Sequence, residues 1–147
     1  MRSLFVIHTP FQLINAISIV KNNCLDDADF IMVHKNMEHY SDFAKQFCKG
    51  NVIFAKELYD NSNKVRRFNH INLFNRFVTK RKRIKKYLVE EYIYDRLFVP
   101  SDDLCCRAVY SFLKQKGEVI LNLFDDVFLV LHFFQQYEQY NFLYHFF

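Results

Sequence analysis

Two groups of polar residues follow short apolar runs that are typical of buried strands. His8-Thr9-Pro10-Phe11-Gln12 comes directly after the run 4–7, and Asp125-Asp126 comes after the run 118–124. A carboxylate at a strand end can act as a general base, and such proton transfer contributes about 10²–10⁴-fold to a rate. Imidazole, hydroxyl and amide groups can bind polar atoms of a substrate. The candidates are therefore a general base at Asp126 with Asp125 beside it, and substrate-binding side chains at His8, Thr9 and Gln12.

Each group also has a plainer interpretation. An Asp-Asp pair after a strand is common in turns and at helix caps. Gln12 also fits as an ordinary polar residue in the first turn of a helix that Thr9 caps. The residue types alone leave both alternatives open.

A basic stretch is a second feature that could bind a ligand. Residues 64–86 hold ten of the 20 Lys and Arg residues of the chain and contain no Asp or Glu. Clustered cations near an anionic membrane surface contribute about 1 kcal/mol each to adsorption. The densest part of the stretch predicts a surface for anionic lipid or another polyanion, and its members are Lys80, Arg81, Lys82, Arg83, Lys85 and Lys86.

Two alternatives compete with the membrane interpretation of this stretch. Nucleic acid is a less favoured partner, because the possible stacking residues Phe74 and Phe77 fall at apolar helical positions that suit packing better. The other alternative is a solvated helix face that binds nothing. Residues 64–86 therefore predict attraction to polyanions without identifying one.

The sequence offers little for metals or cofactors. Its four cysteines form no Cys-x-x-Cys pair, which disfavours a zinc site and a disulfide scaffold. His34 and His39 are five residues apart, a spacing that does not suit two ligands on one helix face. Two isolated glycines cannot build a phosphate-binding loop. We therefore expect no metal and no cofactor.

The order of the patterns indicates how the polar groups are positioned. Apolar runs alternate with segments of helical period, which is typical of an α/β fold with a parallel, Rossmann-like sheet and flanking helices. Ligands of such sheets bind outside the carboxyl ends of the strands, where both polar groups fall. The expected strands are residues 4–7, 29–33, 51–55, 96–99 and 118–124. The expected helices are residues 10–22, 38–49, 72–94 and 102–116. We expect Gly50 to stop the second helix as a left-handed cap, and the last helix to end before Gly117.

The composition fits one cytoplasmic domain of this class. With 51% hydrophobic and 24% charged residues among 147, the chain can build a packed core and is not of the disordered class. Two Gly and two Pro disfavour sandwiches and barrels, which need many tight turns. Polar residues interrupt the apolar segment 1–20, so neither a signal peptide nor a membrane span is expected. We expect a cytoplasmic protein with peripheral contact at the inner face of the cell membrane.

Two of these segments together resemble a known enzyme family. The opening Leu4-Phe5-Val6-Ile7-His8-Thr9-Pro10-Phe11-Gln12-Leu13 resembles the N-terminal strand and loop of the bacterial lipooligosaccharide sialyltransferases, glycosyltransferase family 52. Asn122-Leu123-Phe124-Asp125-Asp126 resembles the start of the Asp/Glu-Asp-Gly element of that family. The likeness covers residues 1–126, so these are expected to form the domain.

The resemblance implies the N-terminal, acceptor-side half of a two-domain B-type glycosyltransferase. It implies CMP-N-acetylneuraminate as donor, a galactose-terminated glycolipid as acceptor, and no metal. Asp126 would deprotonate the attacking galactose hydroxyl with Asp125 as its neighbour, and Gln12 would hydrogen-bond a sugar. The His-Pro and Ser-Ser pairs that hold CMP in the second domain of this family do not occur in this chain. We therefore expect this polypeptide to be inactive without the nucleotide-binding domain.

Residues 127–147 differ in amino-acid composition from the rest of the chain. They contain nine aromatic residues and one charged residue, Glu138, and Val127 stands where the family has Gly. We therefore expect a disrupted reading frame near Asp126 and a truncated chain. A native C-terminal helix that docks through Phe and Leu is the alternative. A small basic module and a non-catalytic remnant are the competing hypotheses for the whole chain.

Overall fold

Five parallel strands form the centre of the fold. The computed structural model describes residues 1–59, 70–88 and 92–124. The strands are β1 (Ser3–Ile7), β2 (Ala28–Met32), β3 (Val52–Phe54), β4 (Arg96–Val99) and β5 (Ile120–Leu123). The helices are α1 (Pro10–Asn22), α2 (Ser41–Phe47), α3 (His70–Ile84) and α4 (Leu104–Lys114), with 3-10 turns at Lys35–Tyr40 and Lys56–Leu58. The strands pair in the order β3-β2-β1-β4-β5, which confirms the predicted α/β, Rossmann-like sheet.

Two apolar layers cover the two faces of this sheet. Leu4 and Val6 of β1 belong to the layer that includes residues of α3 and α4, whereas Phe5 and Ile7 belong to the layer that includes α1. Phe5 stacks on Phe98 of the neighbouring β4, with ring centroids 4.2 Å apart. Because alternate residues of a strand face opposite sides, a strand buried on both sides needs a continuous apolar run. The predicted run 4–7 is buried at all four positions, and Ser3, which precedes it in β1, is buried as well.

Capping signals place the boundaries of α1 where the sequence predicts them. The Thr9 side chain accepts a hydrogen bond from the Gln12 backbone N–H, and the Gln12 side chain accepts one in return from the Thr9 N–H. Pro10 opens the helix, where it loses no internal hydrogen bond. Asn23 caps the other end. The predicted bounds of the fourth strand, 96–99, are also confirmed.

Three helices differ from the prediction. The predicted helix 102–116 is shorter, because α4 spans only Leu104–Lys114 and is capped by Asp103. The segment 38–49 does not form one helix, because its first three residues belong to the 3-10 turn Lys35–Tyr40 and only Ser41–Phe47 is α-helical. His34 caps the 3-10 turn, and its Nδ1 accepts a hydrogen bond from the Asn36 N–H at 3.1 Å. The predicted helix 72–94 ends at Ile84. Tyr94, the last residue of the predicted helix, is bonded instead to Asp29, as described next.

A buried carboxylate lies at the amino end of the sheet. Asp29 is fully buried and accepts hydrogen bonds from the Tyr94 hydroxyl at 2.5 Å and from the Asn51 N–H at 2.6 Å. The Arg2 guanidinium donates two bonds to it at 3.0 Å each. Burial and the hydrogen bond to Asp29 raise the pKa of Tyr94, so its hydroxyl stays protonated and donates at neutral pH. This cluster ties together segments that lie just before β1, β3 and β4.

The same carboxylate explains Gly50. The expected left-handed cap is wrong, since neither described glycine has a positive φ and the only described residue that has one is Cys24, at 50°. A Cβ at position 50 would overlap the Ala28 carbonyl oxygen and Oδ1 of Asp29. Gly50 is therefore required by close approach of the chain and not by its own backbone conformation.

We expect Gly50→Ala to lower the free energy of unfolding by at least about 2 kcal/mol, because the added methyl group must push the chain away from β2. Gly117→Ala is the matched control, since a Cβ there meets no atom within 4 Å. It should change stability by less than about 0.5 kcal/mol, as surface substitutions usually do. Urea unfolding followed by circular dichroism measures both. Equal losses in the two variants would contradict this account of Gly50.

Candidate functional site

The carboxyl ends of β1 and β4 lie side by side at the centre of the sheet. From β1 the chain continues to β2 on one side, and from β4 it continues to β5 on the other. Such a reversal of strand order leaves a crevice between the two loops, which is where open α/β sheets bind ligands. The loops that follow β1 and β4 therefore form the candidate functional site.

The loop after β1 is held by Gln12. Its Oε1 accepts hydrogen bonds from the backbone N–H groups of His8, at 2.8 Å, and Thr9, at 3.2 Å. Gln12 is itself buried, with 8% of its surface exposed. The structure thus gives this side chain a capping and loop-holding contact, which was the plainer of the two predictions. The His8 imidazole remains partly exposed, at 19%.

The loop after β4 is held by Asp103, the N-cap of α4. Its Oδ1 accepts from the backbone N–H groups of Cys105 and Cys106, at 2.7 and 3.0 Å. Its Oδ2 accepts from the Ser101 hydroxyl at 2.8 Å. These bonds satisfy N–H groups that a helix start leaves without partners. They also fix the direction of a carboxylate at the crevice.

The two loops bring an imidazole, a carboxylate and two thiols together. His8 Nδ1 lies 3.4 Å from Asp103 Oδ2. The Cys106 sulfur lies 3.6 Å from Asp103 Oδ2 and 3.9 Å from His8 Nε2. The Cys105 sulfur, a His8 ring nitrogen and an Asp103 oxygen all lie within 4.8 Å of one another. We call these four residues the β1–β4 cluster.

Sequence reasoning missed three members of this cluster. His8 was a candidate, but Asp103, Cys105 and Cys106 were not, although they follow the fourth strand directly. A general rule of the fold could have pointed to them: the strand that pairs with β1 in a doubly wound sheet contributes its own loop to the same crevice. What the sequence does not reveal is that this neighbour is β4, about 95 residues away.

Burial controls the chemistry of the thiols. Burial, with a smaller effect from the Asp103 charge, raises the pKa of Cys105 to about 12, and Lys80 opposes the shift. The same two causes raise the pKa of Cys106 well above its usual value. A protonated thiol is a poor nucleophile. Burial therefore favours the protonated, weakly nucleophilic form of both cysteines at neutral pH.

The predicted basic surface divides in two. Lys80 is buried and its ammonium donates to the carbonyl oxygen of Leu58, so this residue does not belong to the exposed set. Arg83 is exposed and also donates to the Glu57 carbonyl oxygen, at 2.9 Å. Arg81 is half-buried. The exposed basic face, as we use the term below, consists of Lys82, Arg83, Lys85 and Lys86.

The two acids and the tail are outside this description. Asp125, Asp126 and residues 127–147 lie beyond the described residues. The last described residue, Phe124, donates its N–H to the Val99 carbonyl oxygen at 3.2 Å and meets the Phe5 ring edge-on. The chain therefore reaches the carboxyl edge of the sheet, beside β4, immediately before the two acids.

A cavity of about 460 Å³ lies elsewhere, beside β3 and the amino end of the sheet. Gly50, Asn51, Tyr87 and Tyr94 contribute to its lining. Two of these, Asn51 and Tyr94, already bond to Asp29. We assign the polar groups of this cavity to the architecture of the sheet.

Comparison with known proteins adds the fold alone. No family model and no curated protein matches this sequence. Among solved structures, the C-terminal domain of a hydrogenase from Pyrococcus furiosus is similar, with a TM-score of 0.52 and 13% identity over 83% of this chain and 91% of that chain. At this identity the likeness shows a related α/β fold and says nothing of activity. In the described part of the chain, no helix has both the length and the apolar character to cross a membrane.

We expect iodoacetamide at pH 8 to alkylate Cys24 at least about 10²-fold faster than Cys105 and Cys106, because thiolate is the reacting form and burial disfavours it. Cys24 is exposed, whereas Cys105 and Cys106 are buried. Timed alkylation followed by peptide mass spectrometry measures the rates. The same reaction in concentrated urea is the control and should abolish the difference. Equal native rates would show that the cluster thiols are not sequestered.

Proposed function

We propose that this chain is the acceptor-side domain of a glycosyltransferase that transfers sialic acid from CMP-N-acetylneuraminate to a galactose-terminated lipooligosaccharide. One observation carries the proposal: the segment that resembles the sialyltransferase family, His8 to Gln12, forms the capped loop at the β1–β4 crevice. This is the part of a Rossmann-like domain that binds ligands. The residues of the resemblance and the general ligand position of the fold thus coincide.

The reaction would use few groups of this domain. A carboxylate at Asp126 would take the proton of a galactose hydroxyl as its oxygen attacks the anomeric carbon of sialic acid, and CMP would leave. Gln12 would act by holding the His8-Thr9 backbone in place, since its Oε1 is bonded to both N–H groups. The partly exposed His8 imidazole would contact a sugar at the crevice. Stabilisation of the departing CMP would come from a nucleotide-binding domain.

The first test joins residues 1–126 to the nucleotide-binding domain of an active family member. We expect this chimera to transfer sialic acid to lactose, and Asp126→Asn to lower kcat by at least about 10²-fold with little change in the KM of the donor, because only general-base catalysis is lost. Asp42→Asn is the matched control, since Asp42 is exposed on α2.

Two outcomes of this experiment would count against the proposal. A folded chimera that transfers no sialic acid would refute the assigned reaction. Nearly normal turnover of Asp126→Asn would show that another group is the base.

The exposed basic face favours a second function, peripheral binding to an anionic membrane. Its four cations lie at and just after the C-terminal end of α3. The segment 64–86 contains no acidic residue that could neutralise them. A membrane-embedded glycolipid acceptor would make such adsorption useful to the proposed enzyme. The same face would also suit a small, non-catalytic binding module.

We expect replacement of Lys82, Arg83, Lys85 and Lys86 by Gln to weaken binding to phosphatidylglycerol-containing vesicles by at least about 10²-fold, since each cation contributes about 1 kcal/mol. Replacement of four exposed lysines elsewhere, Lys21, Lys35, Lys45 and Lys49, removes the same charge and serves as the control. Vesicle co-sedimentation at low and high salt measures binding, which salt should weaken. Equal effects of the two quadruple variants would leave only net charge, and not a defined face.

A further inference from the structure

The β1–β4 cluster contains more chemistry than the proposed sugar transfer uses. That reaction needs no metal and no thiol, yet the crevice holds an imidazole, a carboxylate and two cysteines in contact. These groups come from two loops that are 95 residues apart in sequence. Imidazole, carboxylate and thiol groups are the side chains that bind borderline-soft metal ions, and here one of each comes within reach of a common point.

We propose that His8, Asp103 and Cys105 form a binding site for a zinc-like divalent cation, with Cys106 as an adjacent fourth donor. The donor set is one nitrogen, one oxygen and sulfur. Zinc takes all three kinds of ligand, whereas magnesium and calcium take oxygen. The mixed set therefore selects a borderline-soft ion such as Zn²⁺ or Co²⁺.

The spacing of the donor atoms is close to what a tetrahedral site requires. Metal–nitrogen and metal–oxygen distances of about 2.0 Å and metal–sulfur distances of about 2.3 Å place neighbouring tetrahedral ligands roughly 3.3–3.8 Å apart. His8 Nδ1 and Asp103 Oδ2 are separated by 3.4 Å. Asp103 Oδ2 and the Cys106 sulfur are separated by 3.6 Å. The Cys105 sulfur lies within 4.8 Å of the His8 and Asp103 donors. After side-chain adjustment the His8, Asp103 and Cys105 donors can reach one ion, and the Cys106 sulfur, which lies 3.9 Å from the other ring nitrogen, Nε2, stands beside them.

The surroundings of the cluster hold these donors in place. Asp103 Oδ1 is bonded to two backbone N–H groups of α4, and Oδ2 is bonded to the Ser101 hydroxyl. Hydrogen bonds of this kind orient a ligating carboxylate. The thiols are buried, with 5% and 3% of their residues exposed, while the His8 and Asp103 side chains are 19% and 36% exposed. An ion could enter from the side of His8 and Asp103 and would meet the sulfur atoms beneath.

The experiment uses the full 147-residue chain. We expect one Zn²⁺ to bind in competition with a chromophoric chelator, and Co²⁺ to give the charge-transfer absorption of cobalt–sulfur ligation. His8→Ala and Cys105→Ser should each weaken Zn²⁺ binding by more than about 100-fold, beyond the range seen for second-sphere changes. Ser101→Ala should weaken it about 10–100-fold, because Ser101 orients a ligand and is not one itself.

Cys24→Ser is the matched control, since it removes an exposed thiol outside the cluster, and it should leave affinity and absorption unchanged. Circular dichroism without metal checks folding of each variant. If Cys105→Ser is unfolded, Ser101→Ala decides, because it keeps every donor. No one-to-one binding, or binding that His8→Ala, Cys105→Ser and Ser101→Ala leave unaltered, would overturn the proposal. None of these results depends on sialic acid transfer, so the metal site and the proposed function fail separately.

Discussion

The carboxylate of Asp29 organises the amino end of the sheet, and the sheet in turn positions the other features of the fold. This carboxylate is fully buried in β2, and a buried charge is tolerated only where opposite charge and hydrogen bonds surround it. Arg2, just before β1, supplies the charge, while the Asn51 N–H before β3 and the Tyr94 hydroxyl before β4 supply further bonds. Arg2 also lies over the Tyr92 ring, 3.6 Å from its centroid. Four neighbouring strands are thereby anchored at one end, which leaves no room for a side chain at Gly50.

The stabilising cluster around Asp29 and the candidate functional site lie at opposite ends of the strands. The amino end holds the fully bonded charge cluster around Asp29. The carboxyl end holds the loops after β1 and β4, with the His8–Asp103 contact and two thiols between them. Because β1 and β4 are adjacent and buried, their ends are held by the core, through contacts such as the stacking of Phe5 on Phe98. A site on such strand ends is positioned more firmly than one carried by surface loops alone.

The two proposals for the carboxyl edge use different atoms of the same loops. Sugar transfer would rely on the capped loop after β1 and on an acid after β5, whereas a metal would join the loop after β1 to the start of α4. Gln12 serves both, since it holds the backbone of His8 in place. The exposed basic face has a mixed role: Arg83 also bonds to the turn after β3, and the neighbouring Lys80 is turned inward to Leu58. Its charges are thus partly structural, which charge counting in the sequence could not show.

The sequence by itself determined the α/β class, the bounds of β4 and the capped start of α1. These depend on local physics: continuous apolar runs for buried strands, and Thr9, Pro10 and Gln12 for a helix start. Only the tertiary structure decided the role of Gly50 and the burial of Lys80, because each depends on an atom distant in sequence, Oδ1 of Asp29 for Gly50 and the carbonyl oxygen of Leu58 for Lys80. The β1–β4 cluster belongs to the same class. His8 is visible in the sequence, but its contact with Asp103 requires that β4 pair with β1, and strand order is a property of the whole packed sheet.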